Sequence, residues 1–418
     1  MQMKFGFALT IAAAVAMTTA CSKKSDNGPA AGASAVPEAS ASASAGGRAP
    51  GSALAVPASA ASVAATAAPV PASSATVVRI GHVALLSGPL AHLGQDNENG
   101  ARLAIEEISA QGLTIDGHAI HLELDTQDDA TDPKKGIAAA QQLVADHVVA
   151  VVGHLNSSVS IPASKIYSDA DVAQISGATT NPAFTQQGYK TTFRVVPTDM
   201  RQRPVLATYA LKTLHARKIV VIDDATLYGR GLANEFAKAV VASGGRITGH
   251  EVTSEKARDF KAIPNKIKRV QPDAVMFGSM DVFAKQAAAM GIKAKILGDD
   301  GMCSADMATL AANAAPNVVC SELGADVSKL DKGGDFAQRY EARFHPPVQS
   351  YAPFTYDAVY VIVDAMKRAN SIEAPKVLAA IASTDFNGLT GHIAFDDKGD
   401  LKGGGAITLI DFKDKERH

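Results

Sequence analysis

The sequence predicts an α/β protein with two doubly wound parallel-sheet lobes. From Val77 to the end of the 418-residue chain, short runs of β-branched residues alternate with stretches that have helical spacing. This part of the chain is too long for one ordinary domain and suits two. The alternation occurs twice, once before and once after Pro197 and Thr198. We therefore expect two similar lobes with a hinge and a cleft between them.

Residues 1–20 have the features of a signal peptide. Residues 1–4 carry positive charge, residues 5–17 are almost entirely apolar, and small residues up to Ala20 precede Cys21. The apolar run is too short to span a membrane. A cysteine at the cleavage point resembles a bacterial lipoprotein site, where the thiol receives the lipid. Ordinary cleavage after Ala20, which would release a soluble periplasmic protein, is the alternative.

Residues 21–76 are almost entirely Ala, Ser, Pro and Gly. Such a segment buries too little apolar surface to offset the entropy of ordering, so we expect a disordered tether. A tether after a lipid-bearing cysteine would let a folded body reach away from the extracytoplasmic face of a membrane. A low-complexity insertion with no role is the alternative.

The first lobe is predicted from strands that are followed by helical segments. The predicted strands are residues 77–86, 120–124, 148–152 and 172–176. Helical spacing occurs at residues 101–108, 137–144 and 162–167. Strands separated by helices favour a parallel sheet.

The second lobe repeats this pattern. Its predicted strands are residues 219–222, 246–252, 274–277 and 294–298, and its predicted helices are residues 233–241, 261–269 and 282–290. After Val318 the pattern predicts a long helical region that includes residues 336–340 and 356–369. Two β-rich pieces, 393–395 and 406–412, end the chain.

Hydroxyl side chains follow two strands of the first lobe. Ser157 and Ser158 come after residues 148–152, where a short helix begins, and Thr180 follows residues 172–176. The unpaired N–H groups and positive dipole end of a helix start can hold a carboxylate without a Lys or Arg. Turns at the carboxyl ends of neighbouring parallel strands face one crevice, where ligands bind. The alternative is that these residues only cap helices.

Residues 77 to about 412 resemble the periplasmic leucine/isoleucine/valine-binding proteins of ABC transporters. The resemblance rests on motifs in the family's order: Ser87-Gly88-Pro89, Asp128-Asp129-x-x-Asp132-Pro133, Gly153-His154-Leu155-x-Ser157-Ser158, Pro162-Ala163-Ser164, Ala178-x-Thr180-x-Pro182, Tyr228-Gly229-x-Gly231-Leu232 and Asp397-Lys398-Gly399-Asp400-Leu401-Lys402. It implies the type I periplasmic binding fold, in which the chain crosses between the lobes three times. Lobe 1 would comprise residues 77–198 and 324–402, and lobe 2 residues 199–323 and 403–418.

The resemblance also implies a clamp for the charged groups of an amino acid. Ser157 would bind the ligand carboxylate through its N–H and hydroxyl, and Thr180 through its N–H. The Thr180 hydroxyl and the Ala178 carbonyl would accept from the ammonium, and Asp300 would pair with it from the second lobe. The implied partners are a branched-chain or related amino acid and an inner-membrane ABC permease, with no cofactor.

Further residues are placed in the ligand pocket by the same resemblance: Leu93, Leu155, Tyr228, Met280 and Tyr351. Leu93 and Met280 stand where typical family members have tyrosines, which predicts a side-chain pocket that is altered in shape and more apolar. Tyr228, beside a Gly-x-Gly turn, could equally lie on the surface.

Two cysteines remain when Cys21 is assigned to lipid, namely Cys303 and Cys320. An oxidising compartment favours their pairing as a disulfide. The loop that they would close follows Asp300, so the bridge would brace the turn that presents this carboxylate. Two buried free thiols are the alternative.

Other classes of function find weaker support. Residues 228–231 lack the third glycine of a dinucleotide loop, and residues 77–418 contain no Walker loop, His-Glu-x-x-His motif or nucleophile elbow, so no enzyme is predicted. The histidines are scattered without metal-ligand spacing. The formal net charge of -2 gives no footprint for nucleic acid. A sensing module for small amides or other amino-acid-like compounds is the alternative, but a fused signalling domain or membrane span would be expected with it.

Overall fold

The computed structural model describes residues 75–254, 262–279, 293–304, 307–413 and 416–417. The strands are β1 (Thr76–Ala84), β2 (Leu113–Ile115), β3 (His118–Asp128), β4 (Ala150–Gly153), β5 (Ala173–Ser176), β6 (Thr192–Arg194), β7 (Ile219–Asp223), β8 (Ile247–Val252), β9 (Ala274–Gly278), β10 (Lys295–Gly298), β11 (Val318–Leu323), β12 (Asp385–Asn387), β13 (His392–Ala394), β14 (Ile407–Lys413) and β15 (Glu416–Arg417).

The helices are α1 (Ala91–Gln111), α2 (Pro133–Ala145), α3 (Ser157–Asp169), α4 (Asp199–Thr208), α5 (Leu227–Ala242), α6 (Ala262–Val270), α7 (Met307–Ala311), α8 (Gly333–Phe344), α9 (Ala352–Ala369) and α10 (Ala374–Ile381). Short 3-10 turns occur at Pro182–Phe184, Asp300–Met302, Ala312–Asn317 and Val327–Lys329. Within the described ranges, every helix is too short or too polar to cross a lipid bilayer.

The first sheet has the strand order β2-β3-β1-β4-β5-β6 and is parallel except for the β2–β3 pair. Successive side chains of a strand point to opposite faces. Accordingly, Ile80 packs in one apolar cluster with residues of α1 and α9, whereas Val83 packs in another with residues of α2 and α3. Both faces are covered, which explains why residues 80–84 of β1 are all buried, without the in-and-out alternation of a half-exposed strand.

The second sheet has the order β15-β14-β11-β10-β9-β7-β8. Strands β7 to β11 pair in parallel, whereas β14 pairs with β11 in the antiparallel direction. Its two faces are also buried, since Val220 and Val221 belong to different apolar clusters. The predicted helix at residues 282–290 lies outside the described residues.

The chain passes between the two sheets three times. It leaves the first sheet after β6, enters the second through α4 and β7, and leaves it again after β11. Helices α8 and α9 then pack on α1, and α10 packs on β4 and β5. Finally β14 returns to the second sheet. This arrangement confirms the predicted fold class of two α/β lobes with three crossovers.

The prediction of a helical region directly after Val318 is wrong for residues 318–323, which form β11. This strand is buried along its whole length because it lies between β10 and β14. It contains Cys320, Ser321 and Glu322, which interrupt the apolar run. Polar residues that find partners inside the protein therefore hid a central strand.

Candidate functional site

The turn after β4 leads directly into α3, which begins at Ser157 as predicted. Asn156 caps the helix, because its side chain accepts a hydrogen bond from Ser158 N at 2.8 Å. Ser157 Oγ in turn accepts from Asn181 N, in the turn after β5, at 3.4 Å. The structure therefore brings the two hydroxyl-bearing turns together at one edge of the sheet.

The turn after β5 is held from behind by Arg194 of β6. Its guanidinium donates to Thr179 O at 2.6 Å and to Asn181 O at 3.0 Å, and it pairs with Asp400 at 2.7 Å. The two carbonyls that accept from Arg194 lie on either side of Thr180, so these hydrogen bonds fix the backbone of the turn.

Thr180 is fully buried, and its hydroxyl has no well-formed hydrogen bond within the described part of the chain. Its carbonyl accepts from Asp199 N at the start of α4, at 3.0 Å. Ala178, two residues earlier, is also buried, and its N–H lies 3.3 Å from Ser176 Oγ. The Thr180 hydroxyl is therefore a buried polar group that can still form a well-aligned hydrogen bond with a ligand.

Asp300 lies in the second lobe, in the turn after β10. Its carboxylate accepts from Gln202 Nε2 at 2.9 Å and from Tyr351 OH at 2.9 Å, and the Tyr228 hydroxyl lies 3.3 Å away. Burial raises the pKa of Asp300, whereas the bonds from Gln202 and Tyr351 oppose this rise. Tyr228 and Tyr351 are themselves buried, so the predicted alternative of a surface tyrosine at 228 is wrong.

Helix α4 adds a charged pair that the sequence did not predict. Arg203 Nη2 lies 3.3 Å from Asp299 Oδ2 and 3.9 Å from Asp199 Oδ1, and these side chains are fully buried. Asp299 also accepts a short hydrogen bond from Tyr228 OH. Burial raises the pKa of Asp299 well above its usual range, although Arg203 opposes the rise.

Asp199 connects the two halves of this cluster. Burial raises the pKa of Asp199 to about 6, while Arg203 and the nearby Thr180 hydroxyl lower it and Asp300 raises it further. The Thr180 hydroxyl is close enough to act on this charge without forming a well-aligned hydrogen bond. The turns of the first lobe and Asp300 of the second therefore belong to one buried polar cluster.

The lobes also touch at the edge of this cluster. Leu227 N, at the start of α5, donates to Ser158 Oγ at 3.1 Å, and Leu227 O accepts from Asn181 Nδ2 at 2.8 Å. A Cβ atom at Gly231 would lie 2.5 Å from Asn181 Nδ2, so a larger residue here would displace the Asn181 side chain. We call the Ser158–Leu227–Asn181 contacts the interlobe latch.

Three further residues, Leu93, Leu155 and Met280, were predicted to line the ligand pocket. Leu155 and Leu93 are buried in the apolar cluster that contains Ile80 and also includes residues of the second sheet. The Leu155 carbonyl accepts from Thr179 Oγ1 at 3.3 Å, which places it directly behind the second turn. Met280 lies outside the described residues.

Cys303 and Cys320 are joined by a disulfide, with their Cα atoms 5.6 Å apart. The bridge connects the end of the Asp300–Met302 turn to the buried strand β11. Cys21 lies outside the described residues.

The acidic turn before α2 does not resemble a cation site. Asp132 caps α2 by accepting from Lys134 N at 2.8 Å, and buried Asp129 pairs with His154 at 3.2 Å. Throughout the described residues, no group of three or more His, Cys, Asp or Glu side chains is arranged to hold a metal ion.

Sequence reasoning missed the polar face of α4. Asp199, Gln202 and Arg203 are buried, whereas Met200 and Arg201 on the same helix are exposed. The i, i+3, i+4 spacing of these three polar residues was visible in the sequence. Their burial could not be predicted from it, because a polar helix face normally points to solvent.

Comparisons with known proteins agree with this architecture. Residues 77–415 match the family model described as periplasmic binding protein. The Leu/Ile/Val-binding protein homolog 1 of Brucella abortus is 33% identical over 322 residues, which cover 76% of this chain and 85% of that protein. The leucine-, isoleucine-, valine-, threonine- and alanine-binding protein of Pseudomonas aeruginosa is 31% identical over 332 residues, covering 78% and 88% respectively.

Solved structures give the same result. The branched-chain amino acid transporter substrate-binding protein of Streptococcus pneumoniae, solved in complex with isoleucine, has a TM-score of 0.75 and 26% identity. The match covers 82% of this chain and 98% of that chain. The sequence, the fold and these similarities together show that the chain belongs to the periplasmic binding protein family.

Proposed function

We propose that this protein is the extracytoplasmic substrate-binding component of an ABC transporter, and that it binds a branched-chain or related amino acid between its lobes. The main support is the buried Thr180 hydroxyl, which has no well-formed hydrogen bond among the described residues and lies in the same polar cluster as Asp300. The names of the relatives from Brucella abortus and Pseudomonas aeruginosa support the same class of ligand. In this role the protein binds and releases its ligand without catalysing a reaction.

The ligand carboxylate would be held at the start of α3. Ser157 offers its hydroxyl there, and the first N–H groups of a helix carry partial positive charge. Thr180 would add its own N–H. Because Arg194 and α4 already occupy the carbonyls of residues 179–181, the turn would present donors to the carboxylate without rearrangement.

The ligand ammonium would be held by oxygens. Thr180 Oγ1 and the carbonyl of Ala178 would accept from it, and Asp300 would pair with its charge. Burial raises the pKa of Asp300, and an arriving ammonium would oppose this rise by favouring the ionised carboxylate. Tyr351 and Tyr228 would orient this carboxylate, and Leu93, Leu155 and Met280 would shape the side-chain pocket.

Ligand binding would favour closure of the lobes about the three crossovers, and an inner-membrane permease would recognise the closed form. The interlobe latch supports this step, because it joins α3 and α5 directly beside the polar cluster.

The decisive experiment is isothermal titration calorimetry of the purified protein against each of the twenty amino acids. We expect measurable binding of at least one of them, and a loss of about 1–3 kcal/mol in Ser157→Ala, since a hydrogen bond to a charged group is removed. Ser164→Ala, further along α3, is the matched control and should bind normally. Absence of heat with every amino acid would reject the proposal.

Lipid attachment at Cys21 and the signal peptide 1–20 are parts of the same proposal. Mass spectrometry of the mature protein from membranes should find Cys21 as the first residue with a mass increase from acyl chains. A mature chain without this increase would show that the protein is released into the periplasm instead.

Oxidation of Cys303 and Cys320 in the exported protein is tested by thiol labelling. The unfolded protein should take up label at these positions only after reduction. Full labelling without a reductant would contradict the bridge.

A further inference from the structure

Arg203 belongs to the same buried cluster, yet the amino-acid clamp described above gives it no ligand group to bind. Its side chain is fully buried, and its Nη2 atom faces Asp299. Its Nε and Nη1 atoms have no hydrogen-bond acceptor among the residues that the structure describes. Buried N–H groups of a charged side chain are costly to leave unpaired, so this arrangement points to an acceptor that comes from a ligand.

Arg194 shows what a purely structural arginine looks like in this protein. It is equally buried, and its Nε, Nη1 and Nη2 atoms all have acceptors, namely Asp400 Oδ1, Thr179 O, Asn181 O and Thr185 Oγ1. Arg203 has the same burial and leaves two of its three nitrogens unpaired. A role as counter-ion for Asp199 and Asp299 explains the charge of Arg203 but leaves these two nitrogens unexplained.

The position of Arg203 also fits a ligand contact. Asp199, one turn earlier on α4, is hydrogen-bonded through its N–H to the carbonyl of Thr180, and its carboxylate oxygens have no well-formed hydrogen bond within the described ranges. Donors on Arg203 and acceptors on Asp199 that make no well-formed hydrogen bond in the described residues therefore lie beside Thr180, whose hydroxyl would bind the ligand ammonium. The Arg203 Nη2 atom lies 3.9 Å from Asp199 Oδ1.

We propose that Arg203 is a specificity-determining residue that binds an oxygen acceptor in the ligand side chain. This inference rests on the amino-acid clamp of the proposed function and, among the related amino acids that it allows, selects those with a side-chain carboxamide or carboxylate. A carboxamide would also donate an N–H to Asp199, whereas a carboxylate would pair with the guanidinium charge. An aliphatic side chain would leave the buried donors unpaired, and sites of this kind reject ligands that lack the partner group.

The test compares ligands of matched shape. Leucine, asparagine and aspartate share a side chain that branches at Cγ and differ in polarity, and glutamine and glutamate extend the series by one carbon. Titration calorimetry of the wild-type protein should show that at least one of the four polar amino acids binds more tightly than leucine, by about tenfold or more. The ratio of asparagine to aspartate affinity separates the carboxamide from the carboxylate.

Arg203→Met should remove this preference by lowering affinity for the polar ligand relative to leucine by about tenfold. Arg201→Met, which makes the same change on the exposed face of α4, should leave the ratio unchanged. An unchanged ratio in a folded Arg203→Met protein would overturn the inference. If that variant fails to fold, the wild-type series still decides, because tighter binding of leucine than of all four polar amino acids also overturns it.

Failure of this inference differs from failure of the proposed function. A protein that binds leucine best still binds an amino acid, and the proposed function stands. A wild-type protein that binds no amino acid rejects both.

Discussion

The buried Thr180 hydroxyl, which has no well-formed hydrogen bond in the described residues, allows a direct test of the proposed binding site. Thr180→Val keeps the branched shape of the side chain and removes the hydroxyl. The hydroxyl has no well-formed hydrogen bond in the described residues and acts only on the nearby Asp199 carboxylate, so the free energy of unfolding without ligand should change little. Affinity for the ligand should fall by about 1–3 kcal/mol, because a hydrogen bond to the ammonium is lost. Calorimetry and urea unfolding measure the two effects.

Thr192→Val is the matched control. Thr192 lies on β6, is buried, and also has a hydroxyl without a hydrogen bond among the described residues. The same substitution there should leave affinity unchanged. Equal losses of affinity in both variants would show that the Thr180 hydroxyl has no special role.

Asp199 predicts a pH dependence of stability. Its pKa is about 6 in the folded protein, mainly because of burial, and about 3.9 in an unfolded chain. The folded state therefore holds this proton more tightly, so the contribution is fully present below about pH 4 and is lost as pH rises through 6. Asp199→Asn mimics the protonated form. It should raise the free energy of unfolding at pH 7 by about 3 kcal/mol and change it little at pH 4.

Urea unfolding of both proteins across this pH range provides the measurement. Asp357, whose pKa is also raised to about 6 by burial, lies on α9 and accepts bonds from the loop at Leu389 and Thr390. Asp357→Asn is the control for replacing a buried carboxylate outside the polar cluster, and it should leave ligand affinity unchanged. A stability gain in Asp199→Asn that is the same at pH 4 and pH 7 would contradict the linkage.

At the scale of elements, the starts of α3 and α5 form the interlobe latch. Ser158→Ala removes the acceptor for Leu227 N and spares the helix cap made by Asn156. A net hydrogen bond is worth about 0.5–1.5 kcal/mol, so ligand should dissociate roughly 2- to 12-fold faster because the closed form is less favoured. Stopped-flow fluorescence or surface plasmon resonance measures this rate.

Ser164→Ala is the matched control for the dissociation rate as well. Ser164 Oγ donates to Ile161 O within α3 and accepts from Gln187 Nε2, and in the described residues it is not bonded to the second lobe. Its dissociation rate should match that of the wild type. A Ser158→Ala protein with an unchanged rate would show that the latch does not hold the lobes together.

The sequence predicted some elements of the site and concealed others for physical reasons. The turns after β4 and β5 could be found, since hydroxyl residues that follow buried strands must lie at one edge of a parallel sheet. Helix α4 could not, because its buried residues Asp199, Gln202 and Arg203 are those that usually face water. The apolar side-chain pocket expected from Leu93 and Met280 did not anticipate the buried guanidinium of Arg203 in the polar cluster.

At the scale of the whole molecule, the three crossovers were implied by the family resemblance and could not be read from periodicity. Periodicity reports which side chains of a strand are buried, but it does not report which sheet the strand joins. Residues 406–412 read as an ordinary β-rich piece. Their pairing with β11, more than eighty positions earlier, is a long-range contact that local pattern cannot encode.

The residues proposed to bind ligand all lie between Leu93 and Tyr351, within the 77–415 region that matches the family. Removal of residues 1–74 should therefore leave the affinity for the ligand within about twofold of the full chain, a change well below 1 kcal/mol. Calorimetry of the two proteins under the same conditions is the measurement. A tenfold or greater loss would show that the N-terminal segment takes part in binding.

Arg194 has a mechanical consequence for the molecule. The guanidinium that fixes residues 179–181 also grips Asp400, in the loop that precedes the last passage of the chain into the second sheet. The rigid guanidinium of Arg194 therefore couples the turn at the amino-acid site to the segment around Asp400, which leads from one lobe to the other. Backbone amides around Asp400 should exchange with deuterium more slowly once ligand is bound, although no ligand atom reaches them.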